Sequence, residues 1–304
     1  MKFIPISRKL NVSILAVSVI FLILVATVLF SYSIKTKLKV YDNIKCDLTE
    51  DINDKIDAKM KIGITNAISI ANDERIKNGL KTNEREEVIK TIQNISKVMK
   101  ENTEFQNTRV HIHTKDNISF VRSWNINQYG DDLSLFRKSV VEVNQTKKPL
   151  ITFEAGKEGL LLRAIVPIFD EANNHLGSLE FIQGMNSVVK EFSKENIEFL
   201  FLMNSDIKNS ITFFKEGEKF KQYIISQENI NKEFLVYANE INIDKLLKDG
   251  YLTDAKYFYT FKEIKDFQNN NLGISIIAKP LNTVDEMINT AQSDLSTLKH
   301  TQKI

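Results

Sequence analysis

The chain has 304 residues, with 41 basic and 39 acidic side chains and a net charge of +2. That length accommodates about two domains, and a balanced charge with no basic patch among aromatics argues against a nucleic-acid partner. One cysteine, Cys46, rules out an internal disulfide framework, and four prolines with ten glycines leave no long Pro- or Gly-rich linker.

Residues 1–9 are read as a cytoplasmic N-terminus and residues 10–33 as a transmembrane helix. The core of that span, Ile14 to Phe30, contains no charge, glycine or proline, and about 20 apolar residues cross the hydrocarbon core of a bilayer. Asn11, Ser13, Ser18 and Thr27 can bond to their own helix backbone. No small-residue cleavage pattern follows, so the segment reads as an uncleaved anchor. Lys2, Arg8 and Lys9 before the span are matched by Lys35, Lys37 and Lys39 after it, so the positive-inside count is close to a tie. The short N-terminal side and the folded body beyond favour an inside N-terminus and an exported body.

Residues 34–100 are expected to be helical. Leu48, Ile52, Ile56, Met60, Ile64 and Ile68 form a stripe at four-residue spacing on one helix running to about Leu80. A second run, Asn83 to Lys100, repeats the periodicity. A four-residue step drifts around a helix, so one face is expected to serve a sheet and another a partner helix; Cys46 is either an ordinary helix residue or a crosslink near a dimer axis.

From Thr108 the period changes. Val110 and Ile112, then Ile118, Phe120 and Val121, flank a Lys115-Asp116-Asn117 turn and read as a hairpin. Leu160 to Phe169 and Gly177 to Gln183 are further strands, and residues 101–193 form a first module. Residues 194–280 form a second, with strands at Phe199 to Met203, Tyr257 to Phe267 and Gly273 to Ala278. Glu228 to Gly250 is polar and partly helical. Residues 281–304 return to helix.

The two modules carry one pattern twice. DEANNHLGSLEFIQGMNSV from Asp170 and DFQNNNLGISIIAKPLNTV from Asp266 align at an offset of 96 positions. A polar turn, Leu-Gly, an apolar strand and Asn-Ser/Thr at a helix start make one supersecondary unit, and two copies predict two related modules in tandem. The fold class is therefore α+β: a transmembrane helix, a long amphipathic helix, two antiparallel-sheet modules and an exit helix.

The sequence carries no Gly-rich phosphate loop, no H-E-x-x-H and no G-x-S-x-G. Lys157-Glu158-Gly159 and Lys279-Pro280 are loop residues with no partner to activate them. This is a binding protein rather than an enzyme, with no cofactor expected. His111 and His113, two apart, share one strand face. Nothing in the sequence designates a third metal ligand, so no metal is expected and the pair reads as polar strand residues or pocket lining.

The stretches VHIHTKDNISFVRSW, YGDDLSLFRKSVVEV, EAGKEGLLLRAIVPIFD and LGSLEFIQG resemble the membrane-distal module of double Cache (dCache) sensor domains of methyl-accepting chemoreceptors. KLLKDGYLTDAKYFYTFKEIKDF resembles their membrane-proximal module. The resemblance covers about residues 34 to 298. It implies PAS-like modules, an extracytoplasmic sensor on the cytoplasmic membrane, a small-molecule ligand in the distal module, and a homodimer through the long helix. Relatives continue into a second span and an output domain, whereas this sequence reaches Lys303-Ile304 without a second apolar run. A receptor fragment or remnant, or an anchored solute- or partner-binding protein without signalling output, is the alternative expectation.

Amino-acid-binding relatives surround an Arg-x-Trp core with aromatics; Arg122-Ser123-Trp124 matches the core, but Asn117 and Asn125 stand at aromatic positions. That departure argues against an amino-acid ligand, and the expected ligand is a small carboxylate or other anion. Arg122 can clamp a carboxylate or pair with Glu154 or Glu180, and Trp124 can wall the pocket or sit in the core. Tyr129, Asp131 and Asp132 follow in the next loop, Arg137 and Arg163 are further cations, and Gln183 ends the last strand. The ligand set expected is Arg122, Trp124, Tyr129, Asp132, Arg163, Gln183 and His113.

Overall fold

The computed structural model describes residues 8–103, 109–156, 159–210 and 217–301. Lys2, Thr108, the Lys157-Glu158 loop and Lys303-Ile304 lie outside the described residues, as do the side chains of Arg8, Lys9 and Asn11. Two compact units are present, residues 8–48 with 280–301 and residues 49–279.

The first unit contains the start of helix α1 (Arg8–Ala71) and helix α8 (Leu281–Thr301). Among the described residues, α1 is the one helix long and apolar enough to cross a membrane, and its apolar window buries nothing within the chain. Thr27 donates its hydroxyl to the Leu24 carbonyl at 2.8 Å, which satisfies one polar group of the apolar stretch. Further along, Val40, Tyr41, Ile44 and Leu48 are buried, as are Val284 and Ile288 of α8. Gln292 donates to the Ser33 hydroxyl at 3.1 Å, joining the two helices.

In the second unit the helical stretch is broken where the sequence pattern predicts continuity. α1 stops at Ala71, and α2 (Glu74–Thr82) and α3 (Arg85–Asn102) follow. Asp73 causes the restart: its backbone is extended (φ −66°, ψ 122°) and its carboxylate accepts from the Arg75 N–H at 2.9 Å, a helix N-cap. Asn83 ends α2 in the left-handed conformation at φ 62°. The apolar stripe also turns away, as a step of four residues must. Ile52 and Ile56 are buried, but Ile68 is 44% exposed and Ala67, Ile70 and Ala71 take the inward positions. The stripe that sequence offers to a partner helix is thus largely buried inside the chain.

The first module is a five-stranded antiparallel sheet in the order β2-β1-β5-β4-β3. Its strands are β1 (Arg109–Thr114), β2 (Ser119–Arg122), β3 (Leu150–Gly156), β4 (Gly159–Phe169) and β5 (His175–Gln183), with α4 (Lys138–Thr146) between β2 and β3. After α5 (Asn186–Lys194) the second module gives β7-β8-β6-β11-β10-β9. Its strands are β6 (Glu198–Asn204), β7 (Lys219–Phe220), β8 (Tyr223–Ile225), β9 (Tyr251–Thr253), β10 (Tyr257–Lys265) and β11 (Asn271–Pro280). Helices α6 (Lys232–Glu240) and α7 (Ile243–Asp249) lie between β8 and β9. Apart from the short edge strand β7, the two orders are the same, with each module's opening strand paired to its closing one.

The repeated sequence is also a repeated geometry. Asp170 and Asp266 each cap a turn in which Asn174 and Asn270 donate both a backbone and a side-chain N–H to the carboxylate. Asn173 and Asn269 occupy the left-handed region at φ 63° and 67°. Gly177 and Gly273 follow at φ 155° and 158°, where a Cβ would run into the backbone carbonyls of His113 and Leu202.

Each face of the first sheet has a different chemistry, and the pleat sorts residues between them. Val110, Ile112, Ala164, Val166, Ile168, Leu179 and Phe181 form a core with Ala67 and Ile70 of α1 and Val88, Ile89 and Ile92 of α3. Gly63 of α1 permits close packing there, since a Cβ would meet the Gln183 amide and, at 3.4 Å, Ala164. The opposite face carries α4 through Val140, Val143 and Ile165, and beside this small cluster lie the polar groups described next.

Candidate functional site

The register of β1, β5 and β4 brings buried polar side chains together on the α4 side. His111 stands opposite Glu180, and His113 opposite Ser178. On the far side of β1, His111 faces Arg122 and His113 faces Ser119. His111, His113, Glu180, Ser178 and Ser119 are all essentially inaccessible, and Arg137 and Arg163 nearly so.

Such groups are tolerated inside a protein when paired. Glu180 Oε1 accepts from Arg163 Nη1 at 2.9 Å and from Arg137 Nη2. Glu154 Oε2 of β3 accepts from Arg137 Nε at 3.0 Å and from the Ser139 hydroxyl at 3.0 Å, and lies 3.2 Å from Arg163 Nε. Two guanidiniums and two carboxylates make a quartet of zero net charge. Burial by itself would raise the Glu180 pKa; Arg137 and Arg163 outweigh that and hold the carboxyl well below its usual range. Burial pushes His111 down to about 4, with Glu180 offsetting part of the shift, and carries His113 well below 6.5. Both imidazoles are therefore neutral at physiological pH.

One atom of each histidine is anchored: His111 Nε2 lies 2.8 Å from Ser119 Oγ, and His113 Nδ1 lies 3.0 Å from Ser178 Oγ. The remaining atoms, His111 Nδ1, His113 Nε2 and Glu180 Oε2, have no hydrogen-bond partner. These three are the atoms on this face that can hold a metal or a polar ligand group.

The structure distributes the residues singled out from sequence differently from their grouping there. His113 and Arg163 lie in the buried cluster. Trp124 sits at its edge, 43% exposed, its ring 5.7 Å from that of His111 in a T-shaped contact. Arg122 pairs with neither Glu154 nor Glu180; it binds Asp131 through two parallel bonds of 2.7 and 2.6 Å and donates to the Gln128 carbonyl at 2.8 Å. That bond from Arg122 depresses the Asp131 pKa. Tyr129 lies outside the cluster, stacked on Arg85 at 3.4 Å. Asp132 is exposed and accepts from the Ser134 N–H at 2.8 Å. Gln183 is on the other face of the sheet, donating to the Lys59 carbonyl of α1 at 3.2 Å.

Sequence reasoning left Glu180 and His111 out of the ligand set, and Arg137 and Glu154 too. One signal was available: Gln183 is three positions from Glu180, and an odd separation on a strand puts two residues on opposite faces. The pairing of β1 with β5, across more than sixty residues of chain, had no local signature.

A cleft of about 530 Å³ in the second module, lined by Asn242, Lys245, Asp249, Tyr251 and Asp254 among others, is of another kind. Of its three acids, Glu240, Asp249 and Asp254, the last is committed to the N–H groups of Lys256 and Tyr257, both at 2.7 Å, and to the Tyr259 hydroxyl at 2.6 Å.

Two tandem antiparallel sheets of matching order, one with a buried polar face and one without, between a long entry helix and an exit helix, define a double sensor domain. Residues 41–284 match the family described as the double sensory domain of two-component sensor kinase, and the chain belongs to this dCache family. No curated protein matches the sequence. Among solved structures, the sensor domain of the Vibrio cholerae histidine kinase DctB is similar at 12% identity and TM-score 0.45, covering 79% of this chain and 98% of that one. The periplasmic domain of Vibrio cholerae LuxQ is similar at 12% and 0.46, covering 82% and 99%. A structure of methyl-accepting chemotaxis protein X is similar at 12% and 0.42, covering 79% and 97%.

Proposed function

We propose that this chain is a sensor anchored in the cytoplasmic membrane, its body exported, that detects a small carboxylate or other anion in the first module and works in signal transduction of the chemotaxis-receptor type. The observation that carries the reading is the buried charge on one face of the first sheet, at positions where the second sheet is aliphatic. Buried ionic groups are weak evidence for stability and a common mark of a binding site. Here the ligand contacts are His113, Arg163 and Trp124 from the sequence-based set, joined by His111 and Arg137, while Arg122 is committed to Asp131 and the Gln128 carbonyl. Tyr129, Asp132 and Gln183 have other engagements and take no part.

A ligand anion would compete with Glu154 and Glu180 for Arg137 and Arg163. Arg137 precedes α4 directly, so its re-pairing would shift α4 against the sheet. A ligand moves such an equilibrium only by its differential affinity for the two arrangements. The exit route is α8, which follows β11 without a loop and is bonded to the membrane helix at Ser33. Pairing of two chains along α1 belongs to the same reading and uses the exposed Ile62 and Ile68 rather than the buried Leu48-to-Ile56 stretch.

The test is a thermal-shift screen of the detergent-solubilised chain against carboxylates, amino acids, inorganic anions and purines. A ligand at a hundredfold excess over its Kd stabilises by about 2.7 kcal/mol. The expected hit is an anion, lost in Arg163→Met and kept in Tyr129→Phe. If no class shifts the melt, direct small-molecule sensing is wrong and a protein partner takes its place.

A further inference from the structure

We infer that His111 Nδ1, His113 Nε2 and Glu180 Oε2 together form a binding site for a divalent transition-metal ion of the zinc class, with an open position for an anionic oxygen. The inference deepens the sensor reading and rests on it for the role of the site, though not for metal binding itself.

Three observations carry it. The first is convergence. The three ligand atoms lie within 4.8 Å of one another, on three side chains that are at most 1% exposed. His111 Nδ1 is 3.6 Å and His113 Nε2 is 3.8 Å from Glu180 Oε2. These separations are too long for hydrogen bonds. They are close to the roughly 3.4 Å between neighbouring ligand atoms around a tetrahedral ion with bonds of about 2.0–2.1 Å.

The second is the outer shell. A metal-bound imidazole characteristically donates its other N–H to an acceptor that fixes tautomer and ring orientation. Ser119 Oγ stands at His111 Nε2 and Ser178 Oγ at His113 Nδ1. The other oxygen of Glu180 is held by Arg163 and Arg137. Every ligand is thus held at one atom and without a hydrogen-bond partner at the atom that lies within 4.8 Å of the other two.

The third is what the repeat puts in the same places. The 96-residue offset equates Glu180 with Ile276 and Ser178 with Ile274. Those pair with Leu200 and Leu202, as Glu180 and Ser178 pair with His111 and His113. The fold therefore accepts aliphatic residues at all three ligand positions. Three unsatisfied buried lone pairs are an unfavourable substitute for them unless something binds there.

Two imidazoles and a carboxylate without a thiolate suit zinc, nickel, copper or ferrous iron better than calcium or magnesium. The cation would enter beside a quartet whose own charges already cancel, so Arg137 and Arg163 oppose it less than their number suggests. Its uncompensated charge would draw an anionic oxygen, from hydroxide or from a ligand carboxylate, into the remaining position.

The experiment uses the full chain in detergent, stripped with a chelator. It is titrated calorimetrically with Zn²⁺ and, for its visible absorption, with Co²⁺; zinc content is measured by mass spectrometry. The expected result is one zinc per chain, a raised melting temperature and a four-coordinate Co²⁺ spectrum. His113→Asn should abolish stoichiometric binding. Ser178→Ala, which keeps all three ligands and guards against a variant that fails to fold, should weaken binding about 10- to 100-fold. Absence of zinc binding overturns the inference in favour of a bridging water, and so does binding unchanged in both His111→Asn and His113→Asn. No zinc together with an anion hit in the thermal-shift screen removes the metal and leaves the sensor. One zinc with no hit on the zinc-loaded chain leaves the metal site and removes small-molecule sensing.

Discussion

The first and second modules share strand order, capped turn and strand-entry glycine, yet they fill equivalent positions with opposite chemistry. Where the first has His111, His113 and Glu180, the second has Leu200, Leu202 and Ile276, packed with Ile274, Phe234, Ala238 and Leu246 into one apolar core. The architecture thus requires neither the buried charges nor the histidines. In the second module this face supplies folding stability through apolar burial. In the first, part of that stabilisation is given up for polar groups that hold one another in place. The same scaffold serves as a support in one copy and as a candidate site in the other.

The sharpest way to break this comparison is to remove the charge at its centre. Glu180→Ala leaves Arg137 and Arg163 sharing Glu154 alone, and losing one partner of a buried ionic network costs about 3–5 kcal/mol. The matched Ile276→Val should cost only about 0.5–1.5 kcal/mol. Urea unfolding of both variants measures the gap, and equal losses would show that the first face is ordinary core.

Next come the glycines, which probe sameness rather than difference. Gly177→Ala and Gly273→Ala each drive a Cβ into a backbone carbonyl and hold alanine at unfavourable φ, a strain of about 1–3 kcal/mol before the collision is counted. The two melting temperatures should fall by similar amounts; a large disparity would mean that the modules are not equivalent at that turn.

The pH response should divide the modules. Bonding from Arg122 lowers the Asp131 pKa in the folded state. Its contribution is present at neutral pH, begins to be lost as pH falls below about 4, where the unfolded carboxyl takes up a proton, and is gone once pH has passed through the lowered folded value. In the second module, burial and then the bond to Asp254 raise Tyr259 above its ordinary value of 10.0. Above about pH 10 the unfolded phenol loses its proton while the folded one keeps it, so stability declines with rising pH. Urea midpoints across pH should show the acid limb flattened in Asp131→Asn and the alkaline limb flattened in Tyr259→Phe.

The smallest effect belongs to the paired turns. Asp170→Ala and Asp266→Ala remove matching bonds from exposed carboxylates, and each should lower the melting temperature slightly and to the same degree.

Much of this was legible in the sequence because its causes are local. A helix long and apolar enough to cross a membrane follows from an uncharged run of sufficient length, and the repeat from a turn whose Asp caps Asn174 or Asn270, whose preceding Asn has positive φ, and whose glycine admits a neighbouring carbonyl. The shared face of His111 and His113 follows from the period of a strand. The Asn72-Asp73 break in the long helix was legible in principle, since Asp is a strong N-cap, but the apolar periodicity ran past it.

What the sequence by itself determined, then, is the succession of long helix, two strand-rich modules and exit helix, the duplication of the modules, and the absence of motifs for familiar chemistry, while β3, β8, β9 and α4 had no reading there. The tertiary structure decided which polar residues meet. Glu180 reaches the histidines only because β5 pairs with β1 in a register fixed by burying Val110, Ile112, Leu179 and Phe181 against the helices. That same register turns Gln183 toward α1, and the Asp131 loop folds back to claim Arg122. A one-residue slip would exchange the two faces entirely. The candidate site is therefore a product of long-range strand pairing, selected by hydrophobic burial on the opposite face.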